Sequence, residues 1–278
     1  MSRDFIEAVA HRRSYYHLDN RAVVDNSLVV GMMDELLATM PSPFNVQSAR
    51  MVLLLDEQHR ELWHIVLETL RHITLPERFE RTKQKVERAF MAGHGTILFY
   101  EDEDALNRMR ENFPLYAENV ATWSEQSSGM MQFAVWTALE DMGYGASLQH
   151  YNPLIDKAVA TRWLINPDWK LIAQMPFGAP LDSPAHRVAS NPPHARRLIF
   201  GDIEKNIRTA TLKWPQKFRQ KTLGPLHLLS LFYFRRLAKR HTSGINNTGI
   251  VSRHIHNQSV TARGATLKNW PAKVTIAI

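Results

Sequence analysis

Apolar positions recur every three to four residues between Asp25 and Thr39 (Leu28-Val29, Met32-Met33, Leu36-Leu37), and the pattern stops at Met40-Pro41. That period predicts an amphipathic helix closed by the proline. After a polar stretch the pattern changes to a continuous run, predicting a buried strand over Arg50–Leu55. Helical spacing returns over 57–72 and again over 76–92, where Pro76 suits a first helical turn. A short helix is expected over Asp4–His11, with Phe5, Ile6 and Val9 on one side. Gly95–Tyr100 reads as a second strand. The longest helical pattern spans Leu115–Met142, with Val120, Trp123, Met130, Met131, Ala134, Ala138 and Met142 in one stripe. Phe133, Trp136 and Leu139 widen that stripe, so this helix is expected in the middle of the domain. Lys170–Met175 reads as a strand ending in a Pro176-Phe177-Gly178 turn, and Arg197–Phe200 as the last strand. Helices outnumber short strands, with no βαβ rhythm. The class expected is α+β, a small central β-sheet surrounded by helices with one long buried helix.

Charge divides the chain where periodicity fades. Of 34 Lys and Arg and 27 Asp and Glu, residues 203–278 hold fourteen of the basic residues and one acid, a net of +13. Residues 1–202 keep 20 basic and 26 acidic residues, a net of −6. Two regions are therefore expected: a domain over 1–202 and a basic, poorly ordered C-terminal extension over 203–278, with a helix at most over Leu226–Arg240. Whether the extension is a functional appendage or a product of read-through translation stays open. A basic tail of this kind could engage nucleic acid or an acidic partner; apart from the tail, no nucleic-acid binding is expected.

The chain has 278 residues and no cysteine, which excludes disulfides and cysteine-based metal or redox centres. The N-terminal stretch lacks the apolar core of a signal peptide, and the longest apolar run, Leu226–Phe234, is too short for a membrane span. A cytoplasmic protein is expected. Gly93-His-Gly95 and Gly143-Tyr-Gly145 follow helical patterns rather than strands, so neither is a dinucleotide fingerprint. His254-Ile-His256 has no carboxylate near it, and no metal site is expected.

Four polar segments carry candidate chemistry. Arg12-Arg13-Ser14, followed by Tyr15-Tyr16, offers two guanidinium forks and a hydroxyl, a phosphate clamp or a basic helix end. Ser42, Asn45 and Gln47 lie between a proline bracket and a strand, as a row of ligand-facing groups or as turn chemistry. Ala146–Pro153 (ASLQHYNP) follows the long helix, and Leu148, Gln149 and His150 could form a cradle there. Arg187 follows the PFG segment in a loop.

Together, RRSYY at 12–16, PSPFNVQSARMVLLL at 41–55, WSEQSSGMMQFAVWTALEDMGYGASLQHYNPLID at 123–156 and AQMPFG at 173–178 resemble the nitroreductase family, in the subgroup of the fungal nitroreductase-like proteins and their bacterial relatives. The resemblance runs from about Asp4 to Phe200 and leaves 203–278 unmatched. It implies a homodimer with FMN at the subunit interface. Arg12, Arg13 and Ser14 would then hold the FMN phosphate and ribityl chain, with Tyr15 or Tyr16 alongside. Ser42, Asn45 and Gln47 would reach the flavin from the other subunit. Backbone groups of Leu148, Gln149 and His150 would lie at the reactive ring edge, with His150 a proton donor at most. Arg187, or failing it Arg197, would complete the phosphate site. The activity implied is transfer of hydride from NADH or NADPH through FMN to a nitroaromatic or quinone acceptor. The alternative is a flavin-binding redox sensor whose tail binds nucleic acid or an acidic partner.

Overall fold

The computed structural model describes residues 4–184 and 191–200. Contacts divide the chain into two units, residues 1–190 and 191–278. In the first, Asp4 caps α1 (Phe5–His11) by accepting the Glu7 N–H at 2.9 Å. Asp25 caps α2 (Asn26–Thr39) in the same way, accepting both the N–H and the hydroxyl of Ser27, which lowers its pKa. Between the two helices lies a two-residue strand, β1 (Leu18–Asp19).

Four further strands complete the sheet: β2 (Ala49–Leu55), β3 (Gly95–Asp102), β4 (Gly145–Ala146) and β5 (Trp169–Pro180). Their order is β1-β5-β3-β2, with β4 also on β5, and every pairing is antiparallel. All eight residues of β3 are buried, because helices cover both faces of the sheet. The two-residue period of the strand sends Leu98 and Tyr100 to one side and Ile97 and Phe99 to the other. Leu98 and Tyr100 pack with Leu62, Trp63 and Val66 of α3 (Asp56–Ile73), with Val86 at the end of α4 (Pro76–Val86), and with Phe90 of the π-helical turn Glu87–Met91. Ile97 and Phe99 pack with Val29 and Met33 of α2 and with Met131, Val135 and Leu139 of the long helix. Burying each such side chain stabilises the fold by about 1.5–3 kcal/mol.

Polar groups inside the first layer are satisfied as a chain. Trp63 donates its indole N–H to Thr96 Oγ1 (3.1 Å), Thr96 Oγ1 is 2.9 Å from His59 Nδ1, and His59 Nε2 lies 3.1 Å from the Met91 carbonyl. Burial lowers the His59 pKa to about 4, so its ring is neutral and donates from Nε2.

The remaining helices are α5 (Glu103–Asn112), α6 (Val120–Asp141) and α7 (Asp156–Trp163). No described helix is long and apolar enough to cross a membrane. Four expectations for the first unit need correction. Helix α5 was not foreseen; Asp102 starts it by accepting the N–H groups of Asp104 and Ala105. The long helix begins at Val120, after a 3-10 stretch over Pro114–Asn119. Its buried face includes Ser124, Ser127 and Ser128, while Met130 (42% exposed) and Phe133 (39%) lie on the surface. Pro176-Phe177-Gly178 is not a turn: β5 runs through it, with Pro176 opposite Thr96 and Gly178 opposite Gly145. Proline is tolerated there because the segment uses its carbonyl, which accepts the Ser147 N–H at 3.2 Å.

In the second unit a 3-10 turn spans Pro193–Arg196, and Arg197–Phe200 is exposed and unpaired rather than a strand. The expected helix over Leu226–Arg240 and the rest of 203–278 lie outside the described residues.

Candidate functional site

Helix α1 ends at Arg12, whose ψ of 127° turns the chain into an extended segment. That segment lies along β4. Ser14 forms a parallel bridge with Ala146, and the Tyr15 N–H donates to the Ala146 carbonyl at 3.0 Å. The close approach depends on Gly145, where a Cβ would stand 2.8 Å from Tyr15 Cγ and 2.9 Å from Leu18 Cδ2. Tyr15 is buried by this docking, Arg12, Arg13 and Ser14 are half-buried, and Tyr16 is exposed. Two contacts tie the segment to the end of α6. The Arg12 guanidinium lies 4.2 Å above the Trp136 ring, and His11 Nδ1 is 2.6 Å from Glu140 Oε1. The Trp136 indole N–H is buried beside Arg12 with no hydrogen-bond partner among the described residues.

The next loop is fixed from below by one side chain of β5. Gln149 and Gln174 exchange both backbone bonds (2.8 and 2.9 Å). The Gln174 amide then accepts the Tyr151 N–H at 2.8 Å and donates to Asn152 Oδ1 at 3.3 Å. Gln149 donates to Ser147 Oγ at 3.1 Å, Leu148 packs on the α2–α6 side of the core, and His150 is exposed. Arg12–Ser14 and Leu148–His150 thus converge on one edge of the sheet.

The loop at 42–47 is built differently. Phe44, Asn45 and Gln47 have φ values of 50°, 54° and 50°. Ser42 Oγ accepts the Gln47 N–H at 3.0 Å, so the hydroxyl serves the turn. Asn45 and Gln47 are exposed, and Phe44 (52% exposed) stacks on Phe113 at 4.2 Å beside Tyr116 and Trp123. Under the loop lies a cavity of about 310 Å³, lined by Ser42, Gln47, Ser48, Arg50, Ser127 and Met131 among others. The two groups of candidates thus share one helix: the cavity sits at Ser127 and Met131 of α6, and the Arg12 cluster at Trp136 and Glu140. A rise of 1.5 Å per residue puts Ser127 and Trp136 roughly 13 Å apart along that helix.

Behind the cavity is a buried carboxyl. Glu101 Oε2 accepts from Ser48 Oγ (2.6 Å) and Ser124 Oγ (2.8 Å), while Oε1 has no partner among the described residues. Burial raises its pKa, against the two hydrogen bonds that lower it. Next to it Arg50 pairs with Asp102 at 2.7 Å and donates to the Gln47 carbonyl, also at 2.7 Å, tying the loop to the sheet.

Arg187 lies outside the described residues, and Arg197 is exposed in the second unit. Sequence reasoning passed over Trp136, Gln174, Glu101 and Phe44. A glutamine inside an apolar strand, and a Ser-Ser pair inside an apolar helix, were the available signals, since buried polar groups need partners.

A sheet covered by helices on both faces, with a basic segment docked at one edge beside a polar loop, is a frame able to hold a phosphate-bearing ligand. The chain belongs to the nitroreductase family: the family model matches residues 9–179. This makes it an oxidoreductase of the FMN-dependent nitroreductase type. The Lactococcus lactis nitroreductase CinD, solved in complex with nicotinic acid, is 37% identical, with a TM-score of 0.65 over 72% of this chain and all of that one. The same enzyme has been solved with chloramphenicol and with 4-nitrophenol. The HBN1 nitroreductase homologue of Saccharomyces cerevisiae is 28% identical over 202 residues, covering 72% of this chain and 95% of that protein. A nitroreductase-fold protein of Desulfovibrio desulfuricans, 17% identical with a TM-score of 0.52 over 72% of this chain and 99% of that one, was solved with FMN.

Proposed function

We propose that the protein is an NAD(P)H-dependent oxidoreductase that reduces nitroaromatic or quinone-type acceptors through FMN by a ping-pong mechanism, as a homodimer of the domain over residues 1–202. The observation that carries this reading is the docking of Ser14 and Tyr15 on Ala146, which brings the Arg12–Ser14 donors to the edge where Leu148–His150 are fixed. The donor set fits FMN. Two half-buried guanidiniums and a hydroxyl match a phosphate's oxygens, and the Trp136 N–H beside them lacks an acceptor.

FMN, when bound, takes a hydride from the reduced nicotinamide and passes electrons to the acceptor. Arg12 and Arg13 neutralise the phosphate, and stacking on Trp136 holds the Arg12 fork in place. The N–H groups of Ser147, Gln149 and Tyr151 are taken up by the Pro176 and Gln174 carbonyls and the Gln174 amide, which keeps the 147–151 backbone rigid and leaves the alternate N–H groups of Leu148 and His150 as preorganised donors. His150, exposed at that edge, is positioned to exchange protons with solvent.

Dimerisation is supported by apolar residues left exposed on the elements that carry the site: Phe5 and Ile6 of α1, Leu28 and Val30 of α2, Met130 and Phe133 of α6. Pairing through these helices brings the 42–47 loop of one protomer to the Arg12 cluster of its partner. The acceptor class is supported by the nitroaromatics found with CinD and by the aromatic wall of Phe44, Phe113, Tyr116 and Trp123. The purified protein is expected to be yellow and to bleach when NADH or NADPH is added anaerobically. A protein that stays colourless after FMN is supplied would overturn the proposal.

A further inference from the structure

A second cluster of cations lies away from Arg12. Arg81, Gln84 and Lys85 of α4 and Arg88 of the π-helical turn stand at positions i, i+3, i+4 and i+7, which places them along one face. Together with Tyr16 and His17 they line a cavity of about 300 Å³. Among the described residues none of the three cations forms an ion pair with a carboxylate; Glu87 pairs instead with Lys83 (3.9 Å), and Lys85 Nζ lies 5.8 Å from the Phe90 ring centroid. His17, which also lines the cavity, is bonded through Nδ1 to Asp182 Oδ2 at 2.5 Å. Three like charges on one helix face repel one another, and they do so in a domain whose net charge is −6 over residues 1–202.

We propose that this groove is a second anion site, which binds a phosphoryl group carrying two or more negative charges. Arg81 and Arg88 supply forked donors that match phosphate oxygens, Lys85 a point charge, and Tyr16 and Gln84 neutral donors. The groove is shallow and its cations are exposed, and its volume of about 300 Å³ is at the lower end of small-ligand pockets, enough for a phosphoryl group with part of a nucleotide. The chain's own C-terminal segment is excluded as occupant by charge, since 203–278 holds fourteen basic residues and one acid. The shared chemistry has two sources: a free polyphosphate, or the phosphate-bearing adenosine of a dinucleotide. The Arg81, Lys85 and Arg88 charges would favour a dinucleotide with an extra phosphate on its adenosine over one without it. The site itself depends on its own residues and stands apart from the flavin reading.

The test is equilibrium dialysis of the full chain at low ionic strength, with FMN in excess so that phosphate sites for flavin are filled. The probes are inorganic pyrophosphate and adenosine 2′,5′-bisphosphate. Saturable binding of at least one is expected, with affinity falling about tenfold or more in R81Q/R88Q while the thermal midpoint is unchanged. K85Q, a milder change, should show a smaller loss of the same sign. Bisphosphate binding much tighter than pyrophosphate identifies a nucleotide ligand, and equal binding identifies the bare phosphoryl group; either result supports the site. Absence of saturable binding overturns it, as does binding that survives R81Q/R88Q, which would locate the anion on the basic segment.

Discussion

The two halves of the proposed flavin site are made in opposite ways. Arg12–Ser14 and Leu148–His150 are held by strand bridges, by Tyr15 packed against Gly145 and by the Gln174 amide. The 42–47 loop carries three non-glycine residues at positive φ, exposes Phe44, Asn45 and Gln47, and is secured without strand pairing, by two turn bonds, the Ser42 hydroxyl, Arg50 and the Phe44–Phe113 stack. Each left-handed residue costs roughly 1 kcal/mol, less for Asn, so the loop spends stability that the first half conserves. A rigid half suits the cofactor's fixed phosphate and ring edge. An adaptable half, backed by a cavity and an aromatic wall, suits acceptors of varying shape.

The sharpest way to break the contrast is to disturb the rigid half at its closest approach. Gly145→Ala places a methyl 2.8 Å from Tyr15 Cγ, and Tyr15 must move. Overpacking of this kind costs about 1–3 kcal/mol, which denaturant unfolding should register. Because Tyr15 and Ser14 are bonded to the neighbouring Ala146, FMN affinity should drop with it, by about tenfold or more for each 1.4 kcal/mol lost at the clamp. Unchanged flavin affinity in a destabilised G145A would detach the Arg12 segment from the flavin site.

The adaptable half should answer with binding rather than stability. Asn45→Ala with Gln47→Ala removes two exposed amides from residues already at positive φ, so unfolding free energy should shift by only about 1 kcal/mol. Flavin retention during gel filtration should nevertheless weaken. Full occupancy in the double variant would reduce the loop to turn chemistry, the role that Ser42 already performs for the Gln47 N–H.

How much of this was legible in the sequence differs between the same regions. The helices expected over Asp4–His11 and Asp25–Thr39, the β2 and β3 runs and the helix over 57–72 follow from local period, and the structure has them. The PFG segment misled because its local turn signal is overridden by pairing with β3 and β4, which no local pattern reports. Helix α5 was legible but not read: Asp102 is a ready N-cap, Glu103 and Asp104 suit a first turn, and Ala105, Leu106 and Met109 lie at helical spacing. The stripe assigned to α6 missed that Ser124 is buried there because Glu101, far away in sequence, takes its hydroxyl. Candidate segments could be found one by one, and the resemblance grouped them; the Arg12–Trp136 and Gln149–Gln174 contacts that fix the rigid half required the fold.

The smallest expected effect concerns Glu101, which links the two regions by holding Ser48 below the loop to Ser124 of α6. Its folded pKa is raised above the ordinary value of 4.5, chiefly by burial. Protonation is therefore favoured by folding. Its contribution is fully present below the unfolded pKa and is lost as pH rises from there through the folded value. Glu101→Gln keeps an oxygen for the two serine hydroxyls and removes the titration. Unfolding free energies measured at intervals upward from pH 4.5 should show the variant gaining on the wild-type protein as pH rises, then a constant difference once Glu101 is ionised in both states. A difference that does not change with pH would mean the carboxyl is ionised in the folded protein throughout, with the serine hydroxyls outweighing burial.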